Sequence, residues 1–97
     1  MTSEEIAELF EKYEHQGDRF DLVENKLSDR CDLHAFLLIG KLIGGNRNII
    51  REANHNVIYI GDEGLVDVLT EDLIIELSRC GVSYIEGNDF LHMHTYG

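Results

Sequence analysis

LHAFLLIGKLIGGNRNIIREANHNVIYIG, residues 33–61, contains the change of pattern that decides the fold. Its first part, residues 33–43, is apolar around most of a helical circumference and stops at a glycine pair, which predicts a central or interfacial helix. Residues 48–53 and 56–61 are β-rich runs on either side of an Asn-His pair that suits a tight turn. The stretch therefore predicts a helix followed by a β-hairpin.

The sequence C-terminal to this stretch predicts a second helix and a second hairpin. Thr70 is a suitable N-cap for a helix over residues 71–80. Residues 82–86 and 90–94 read as two strands joined by a Gly-Asn-Asp turn. Residues 65–69 fit either a strand or a helical turn.

The N-terminal third predicts one long helix over residues 3–27. Thr2 and Glu5 stand at capping-box spacing, and the apolar positions keep their helical phase across Gly17. The helix that follows is expected to start with Asp29 or Asp32 as its cap.

Together these elements predict a single α+β domain spanning residues 1–97. Two N-terminal helices precede a hairpin, a helix and another hairpin. We expect a four-stranded, mainly antiparallel sheet with the helices on one face.

The charge of the chain is strongly negative and unevenly distributed. The 19 acids and 8 bases give a formal net charge of −11. Residues 1–32 carry ten acids and four bases, residues 33–60 one acid and three bases, and residues 61–97 eight acids and one base. This charge exceeds the magnitude of about 2–8 that keeps a small domain soluble, so solubility alone is a weak explanation.

An acidic stripe on the first predicted helix is the main candidate binding surface. Its members share one helical face, and such a row can imitate the phosphates of a nucleic acid in a basic groove. A face that only solvates the helix is the alternative. The predicted partner-binding residues are Glu4, Glu8, Glu11 and Asp18, with a second patch of Asp62, Glu63 and Asp67.

Two histidines form the main metal candidate. His92 and His94 are two apart in a predicted strand, so their side chains point to the same face. Zinc needs a third or fourth ligand, which His55 or Asp89 could supply. The alternative is a pair of surface histidines, and we predict neither a bound metal nor another cofactor.

The segment around Cys31, Asp32 and His34 contains the residue types of a nucleophilic centre. No glycine-rich nucleophile turn accompanies them, so we predict a structural role and no catalytic residue. Cys31 and Cys80 are expected to be buried free thiols, because each lies in or beside an apolar helical stretch.

The compartment and the partner class follow from what the sequence lacks. It has no signal-peptide pattern and no apolar run long enough to span a bilayer, which predicts a cytoplasmic protein without membrane contact. The net negative charge disfavours direct binding of nucleic acid.

The segments 31–38 (CDLHAFLL), 52–59 (EANHNVIY) and 77–82 (LSRCGV) resemble small acidic proteins encoded by bacteriophages. Such proteins are often directed at the host and include inhibitors of defence nucleases, such as anti-CRISPR proteins. The resemblance implies a protein of this class acting in the host cytoplasm, and it transfers no functional residue.

Three functional hypotheses follow. The first is a non-enzymatic acidic inhibitor, similar to a DNA mimic, that binds a basic nucleic-acid-handling host protein. The second is a homo-oligomeric accessory protein, in the simplest case a homodimer, whose first two helices contribute Phe10, Tyr13 and Phe20 to the interface. The third is a small metal-dependent enzyme that uses His92 and His94.

Overall fold

The protein adopts the predicted α+β fold, seen here in a computed structural model. The residues described are 1–44, 48–54, 56–61, 64–87 and 90–94. The helices are α1 (Ser3–Lys12), α2 (Cys31–Ile43), α3 (Leu65–Val68) and α4 (Glu71–Arg79). The strands are β1 (Ile50–Asn54), β2 (Val57–Ile60), β3 (Val82–Ser83) and β4 (Leu91–His94).

The four strands form one antiparallel sheet in the order β1-β2-β4-β3, and the helices pack on it. The register places Ile58 opposite Met93 and Ile60 opposite Leu91. These side chains point to the helix-covered face, and Ile60, Leu91 and Met93 are buried there. The alternation of strand side chains leaves the histidines of β4 on the other face.

The N-terminal region is not the single long helix predicted for residues 3–27. α1 ends at Lys12, and two 3₁₀ turns, Glu14–Asp18 and Phe20–Leu22, follow it. Tertiary contacts explain the break, because Tyr13 Oη donates a hydrogen bond to Glu71 of α4 at 3.0 Å.

The 3₁₀ turns still direct apolar side chains inward, which is why the sequence pattern looked continuous. Val23 is buried and Phe20 packs against the core. Arg79 Nε donates to Gln16 Oε1 at 3.0 Å and ties the first turn to α4. Leu27 is 39% exposed, so the helical phase of the apolar positions does not extend to this residue.

Two details of the later elements also differ from the prediction. Neither Asp29 nor Asp32 caps α2, because its N-cap residue is Arg30 and no side chain makes a capping hydrogen bond. β3 is two residues long instead of five. Residues 65–69, which fitted strand or helix, begin with the short helix α3.

One core joins α1, α2, α4 and the sheet. Its fully buried members include Ile6 of α1, Ile39 of α2 and Ile74 of α4. Phe10 belongs to this core, with 5% of its surface exposed, and Tyr13 and Phe20 pack against it. The prediction that these three aromatic residues form an intermolecular interface is therefore wrong for Phe10, whose side chain the monomer's own core uses.

Gly61 at the end of β2 shows why a glycine is needed between the sheet and α3. Its φ of +113° is disfavoured for residues with a side chain, and a Cβ there would lie 2.5 Å from Leu65 Cδ2. Leu65 is fully buried, so the sheet and α3 approach each other closely at this point.

Candidate acidic binding surface

α1 is a well-capped amphipathic helix. The Thr2 side chain accepts from the Glu5 amide at 3.1 Å, and the Glu5 carboxylate accepts from the Thr2 amide at 3.0 Å, so the predicted capping box is confirmed. The Thr2 amide, and secondarily the Thr2 side chain, form hydrogen bonds with the Glu5 carboxylate that lower its pKa. Ile6 and Phe10 are the buried residues of α1 and face the core.

Three carboxylates line the outer face of this helix. Glu4, Glu8 and Glu11 are exposed and stand at spacings of four and three residues, which places them on one face. Successive carboxylates are separated by about 4.5–6 Å along the axis, from the rise of about 1.5 Å per residue. The outer surface of α1 is therefore a row of negative charge.

The carboxylates of this row are not neutralised by the cations of the described chain. The ion pairs among the described residues are Arg19–Asp21 and Arg30–Asp32, and His34 makes a hydrogen bond with Glu76. Lys12, the basic residue of α1, instead places its Nζ 5.2 Å from the centroid of the Tyr13 ring. We call Glu4, Glu8 and Glu11 the α1 acidic face.

The other predicted acids lie elsewhere or outside the described residues. Asp18 belongs to a 3₁₀ turn and not to α1, and its side chain is not among those described. Asp62 and Glu63 also lie outside the described residues. Asp67 is exposed on α3, which packs against α2.

The structure adds acids that the sequence pattern did not assign to the surface. Glu14 is exposed in the turn that follows α1. The hydrogen bond from Tyr13 Oη to Glu71 brings the first turn of α4, with Glu71 and Asp72 both exposed, to the C-terminal end of α1. The sequence pattern does not reveal this proximity, because it depends on the packing of α1 against α4.

The histidines of β4 lie on the sheet face away from the core. Their ring centroids are 5.9 Å apart, so the predicted common face is confirmed. Burial, and secondarily the neighbouring His94, lowers the pKa of His92, whose buried Nδ1 has no hydrogen-bond partner among the described groups. A cleft of about 410 Å³ between α1 and this sheet edge is also lined by Glu11 and Glu14.

These groups do not form a metal centre in the described structure. Among the described residues, no three His, Cys, Asp or Glu side chains lie close enough together to hold a metal ion. His55 and Asp89, the additional ligands considered from sequence, lie outside those residues.

A row of rings crosses the sheet face that carries these histidines. Phe90 and Tyr59 have centroids 5.3 Å apart, and Tyr59 and His92 have centroids 6.3 Å apart. The β1–β2 register shifts between Ile50 and Glu52, and the intervening Arg51 lies 5.8 Å above the Phe90 ring. Such a bulge changes the direction of a strand side chain, which the sequence pattern of β1 does not reveal.

In the segment around Cys31, both ring nitrogens of His34 are hydrogen-bonded to groups other than the Cys31 thiol. His34 is buried, its Nδ1 accepts from the Leu27 amide at 3.1 Å and its Nε2 lies 3.0 Å from Glu76 Oε2. These two hydrogen bonds assign the proton to Nε2 and occupy both ring nitrogens. Asp32 is bonded to Arg30, which, with a smaller contribution from the Leu33 amide, lowers the pKa of Asp32.

The two cysteines differ in their surroundings. Cys80 is buried as expected, and burial, with smaller effects of Cys31 and Glu76, raises the pKa of its thiol to about 12. Cys31 is exposed, so the prediction that it is buried is wrong. Both line an apolar cleft of about 540 Å³ near Phe36 and Met93.

The chain matches no protein-family model, and neither the curated proteins nor the solved structures contain a match to it. None of the described helices combines the length and apolar character needed to cross a bilayer. Function is therefore argued from the geometry and charge of the residues themselves.

Proposed function

We propose that this chain is a non-enzymatic binding protein that presents the α1 acidic face to a basic, nucleic-acid-handling host protein. The observation that carries the proposal is a row of three exposed carboxylates without cationic partners in the described chain. A row of this kind attracts a partner with a complementary positive surface and excludes partners that are themselves acidic.

The spacing of the row supports a comparison with nucleic acid. One strand of DNA carries a charge for about every 3.4 Å of axis, and the α1 acidic face carries one for every 4.5–6 Å or so. The row is sparser than a phosphate backbone, and Glu14, Glu71 and Asp72 extend the negative surface beyond the end of α1. A groove that binds a phosphate backbone therefore fits this surface in the sign of its charge and approximately in its spacing.

The resemblance to small acidic bacteriophage proteins supplies the biological context of the proposal. An acidic protein that occupies the nucleic-acid groove of a host enzyme would inhibit that enzyme, as an anti-CRISPR protein of the DNA-mimic type does. The proposed place of action is the host cytoplasm. Asp18, Asp62, Glu63 and Asp67 remain predicted additional contacts.

The experiment is a pull-down from bacterial lysate that compares the wild type with a charge-reversed variant. The variant replaces Glu4, Glu8 and Glu11 with Lys, and Glu5 is kept because it caps the helix. A matched control reverses three exposed acids that have no partner among the described residues and lie outside α1. The control residues are Glu24, Asp29 and Glu52.

We expect the wild type and the control to capture the same basic proteins at about 0.05 M salt, and the α1 variant to lose them. Capture should also be lost near 1 M salt, where the screening length is only about 3 Å. Circular dichroism of both variants checks that the fold is retained. Equal capture by the α1 variant, or no salt-sensitive capture by the wild type, would contradict the proposal.

A further inference from the structure

The apolar cleft at the start of α2 brings together two cysteines that are far apart in the sequence. Cys31 is the first residue of α2, and Cys80 follows the last residue of α4. Both are free thiols, and both line the cleft of about 540 Å³ near Phe36 and Met93. The fold therefore places two groups capable of thiol chemistry on the walls of one cavity.

The two thiols differ in their access to solvent. Cys31 is exposed, so a dissolved reagent reaches it directly. Cys80 is only 4% exposed, and its thiol makes no hydrogen bond within the described residues. Buried polar side chains usually have a partner, and the cleft is the side from which Cys80 can acquire one.

An electrostatic effect connects the two sulfur atoms. Burial is the main cause of the raised pKa of Cys80, and the charge of Cys31 raises this pKa further. Because the interaction between charges weakens with distance, Cys31 lies close enough to Cys80 to disfavour a second negative charge. The two residues are thus neighbours across the cleft.

Both cysteines stand where the backbone can adjust. A disulfide requires Cα atoms roughly 4.4–6.8 Å apart, which sets how far the cleft narrows between the two residues. Cys31 lies at a helix N-terminus and Cys80 at a helix C-terminus, and helix ends fray more easily than helix centres. Gly81, the next residue, has open space on the side where a Cβ would lie. The movement can therefore be confined to the two helix ends.

We propose that Cys31 and Cys80 form a reversible disulfide when the chain meets a small-molecule disulfide as oxidant. The Cys31 thiolate attacks one sulfur of the oxidant, whose S–S bond breaks and releases the first thiolate. The Cys80 thiolate then attacks Cys31 Sγ of this mixed disulfide and releases the second thiolate. The chain gives up two electrons and two protons, and one molecule of oxidant becomes two thiols.

The bond joins the N-terminus of α2 to the C-terminal end of α4 across the cleft. A cross-link between residues distant in the chain stabilises a protein mainly by constraining its unfolded state. Disulfides in reducing compartments are usually transient and redox-sensing, so the pair acts as a redox-dependent clamp on the core. It does not involve the α1 acidic face and does not depend on the proposed function.

The experiment exposes the folded full chain to oxidised glutathione and follows its mass and its thermal unfolding. We expect the wild type to pass through a species that carries one glutathione and to end as a monomer lacking two hydrogens. The midpoint of thermal unfolding of this product should rise by at least about 5 °C. Dithiothreitol should reverse both changes, because the proposed bond is a disulfide.

Two single variants separate the two steps. Cys80→Ala keeps the exposed thiol and should stop at the mixed disulfide, whereas Cys31→Ala should stay unmodified under the same conditions. Neither variant should gain thermal stability. A wild type that remains reduced, keeps glutathione in its final product or forms disulfide-linked dimers would overturn the proposal. A fall in the unfolding midpoint on oxidation would also overturn it.

Discussion

The inner faces of α1 and α2 are alike, because both bury apolar residues in the core, whereas their outer faces differ in chemistry. Ile6 of α1 and Ile39 of α2 are both completely buried in the same core. Outside, α1 presents Glu4, Glu8 and Glu11, and α2 presents Leu33, Leu37 and Lys41. Packing in the core explains why the inner faces carry apolar residues, but it does not explain which side chains occupy the outer faces. The core therefore constrains the inner faces of the two helices alike and leaves their outer faces free to differ.

The largest effect tests the equivalence of the inner faces. We expect Ile6→Ala and Ile39→Ala each to lower the free energy of unfolding by about 2–5 kcal/mol, since each removes a fully buried side chain and leaves a cavity. Urea denaturation measures both. A loss below about 1 kcal/mol for either would show that its helix is not part of the cooperative core.

The next effect concerns His34, the buried polar side chain of α2. His34→Leu leaves the Leu27 amide without its acceptor and removes the partner of Glu76. We expect a loss of about 1–3 kcal/mol by the same measurement, the usual result of leaving a buried donor unsatisfied. Glu76→Gln keeps a carbonyl acceptor for His34 Nε2 and should cost less. A larger loss for Glu76→Gln than for His34→Leu would contradict this account.

Substitutions at the N-termini of the two helices should have smaller effects on stability, and these effects should have opposite signs. α1 has a capping box, whereas α2 begins at Arg30 without a side-chain cap. Thr2→Ala should therefore destabilise the protein by about 1 kcal/mol, and Arg30→Ser should stabilise it by about 0.5 kcal/mol. The gain is the smaller because Arg30→Ser also removes the exposed Arg30–Asp32 pair. Thermal unfolding of both variants measures these changes in stability. A change of the same sign in both variants would contradict the difference in capping between α1 and α2.

The smallest effect is a pH dependence at the start of α1. The folded pKa of Glu5 lies below its ordinary value of 4.5, because the charged carboxylate accepts hydrogen bonds from Thr2. Its contribution to stability is therefore complete above that value and is lost as pH falls through the lowered folded pKa. NMR titration of the side-chain carboxyl should give a midpoint below 4.5 that rises in Thr2→Ala. A midpoint at or above 4.5 in the wild type would rule the effect out.

Sequence reasoning predicted those parts of the fold that depend on local pattern. The change of period after Ile43 identified the first hairpin, and Thr2 and Thr70 were recognised as helix caps. The continuous helix over residues 3–27 failed because hydrogen bonds from α1 and the 3₁₀ turns to α4 determine where α1 ends. Contacts between elements distant in sequence leave no periodic signal.

The candidate site was predictable to the same extent. Glu4, Glu8 and Glu11 follow from helical spacing, and their exposure agrees with it. The approach of Glu71 to α1 and the redirection of Arg51 by a bulge depend on tertiary packing and strand register. For α2, hydropathy alone indicated a central or interfacial helix, but only the structure separates its buried side from its exposed one.

The burial of Cys80 gives the molecule an internal reporter of its own opening. We expect a thiol with a pKa of about 12 that lines a cleft but is 4% exposed to react with an alkylating reagent mainly when the C-terminal end of α4 detaches. Exposed Cys31 reacts without such an event and provides the reference rate in the same sample. The ratio of the two rates thus measures how often this end of the core opens, without any substitution in the chain.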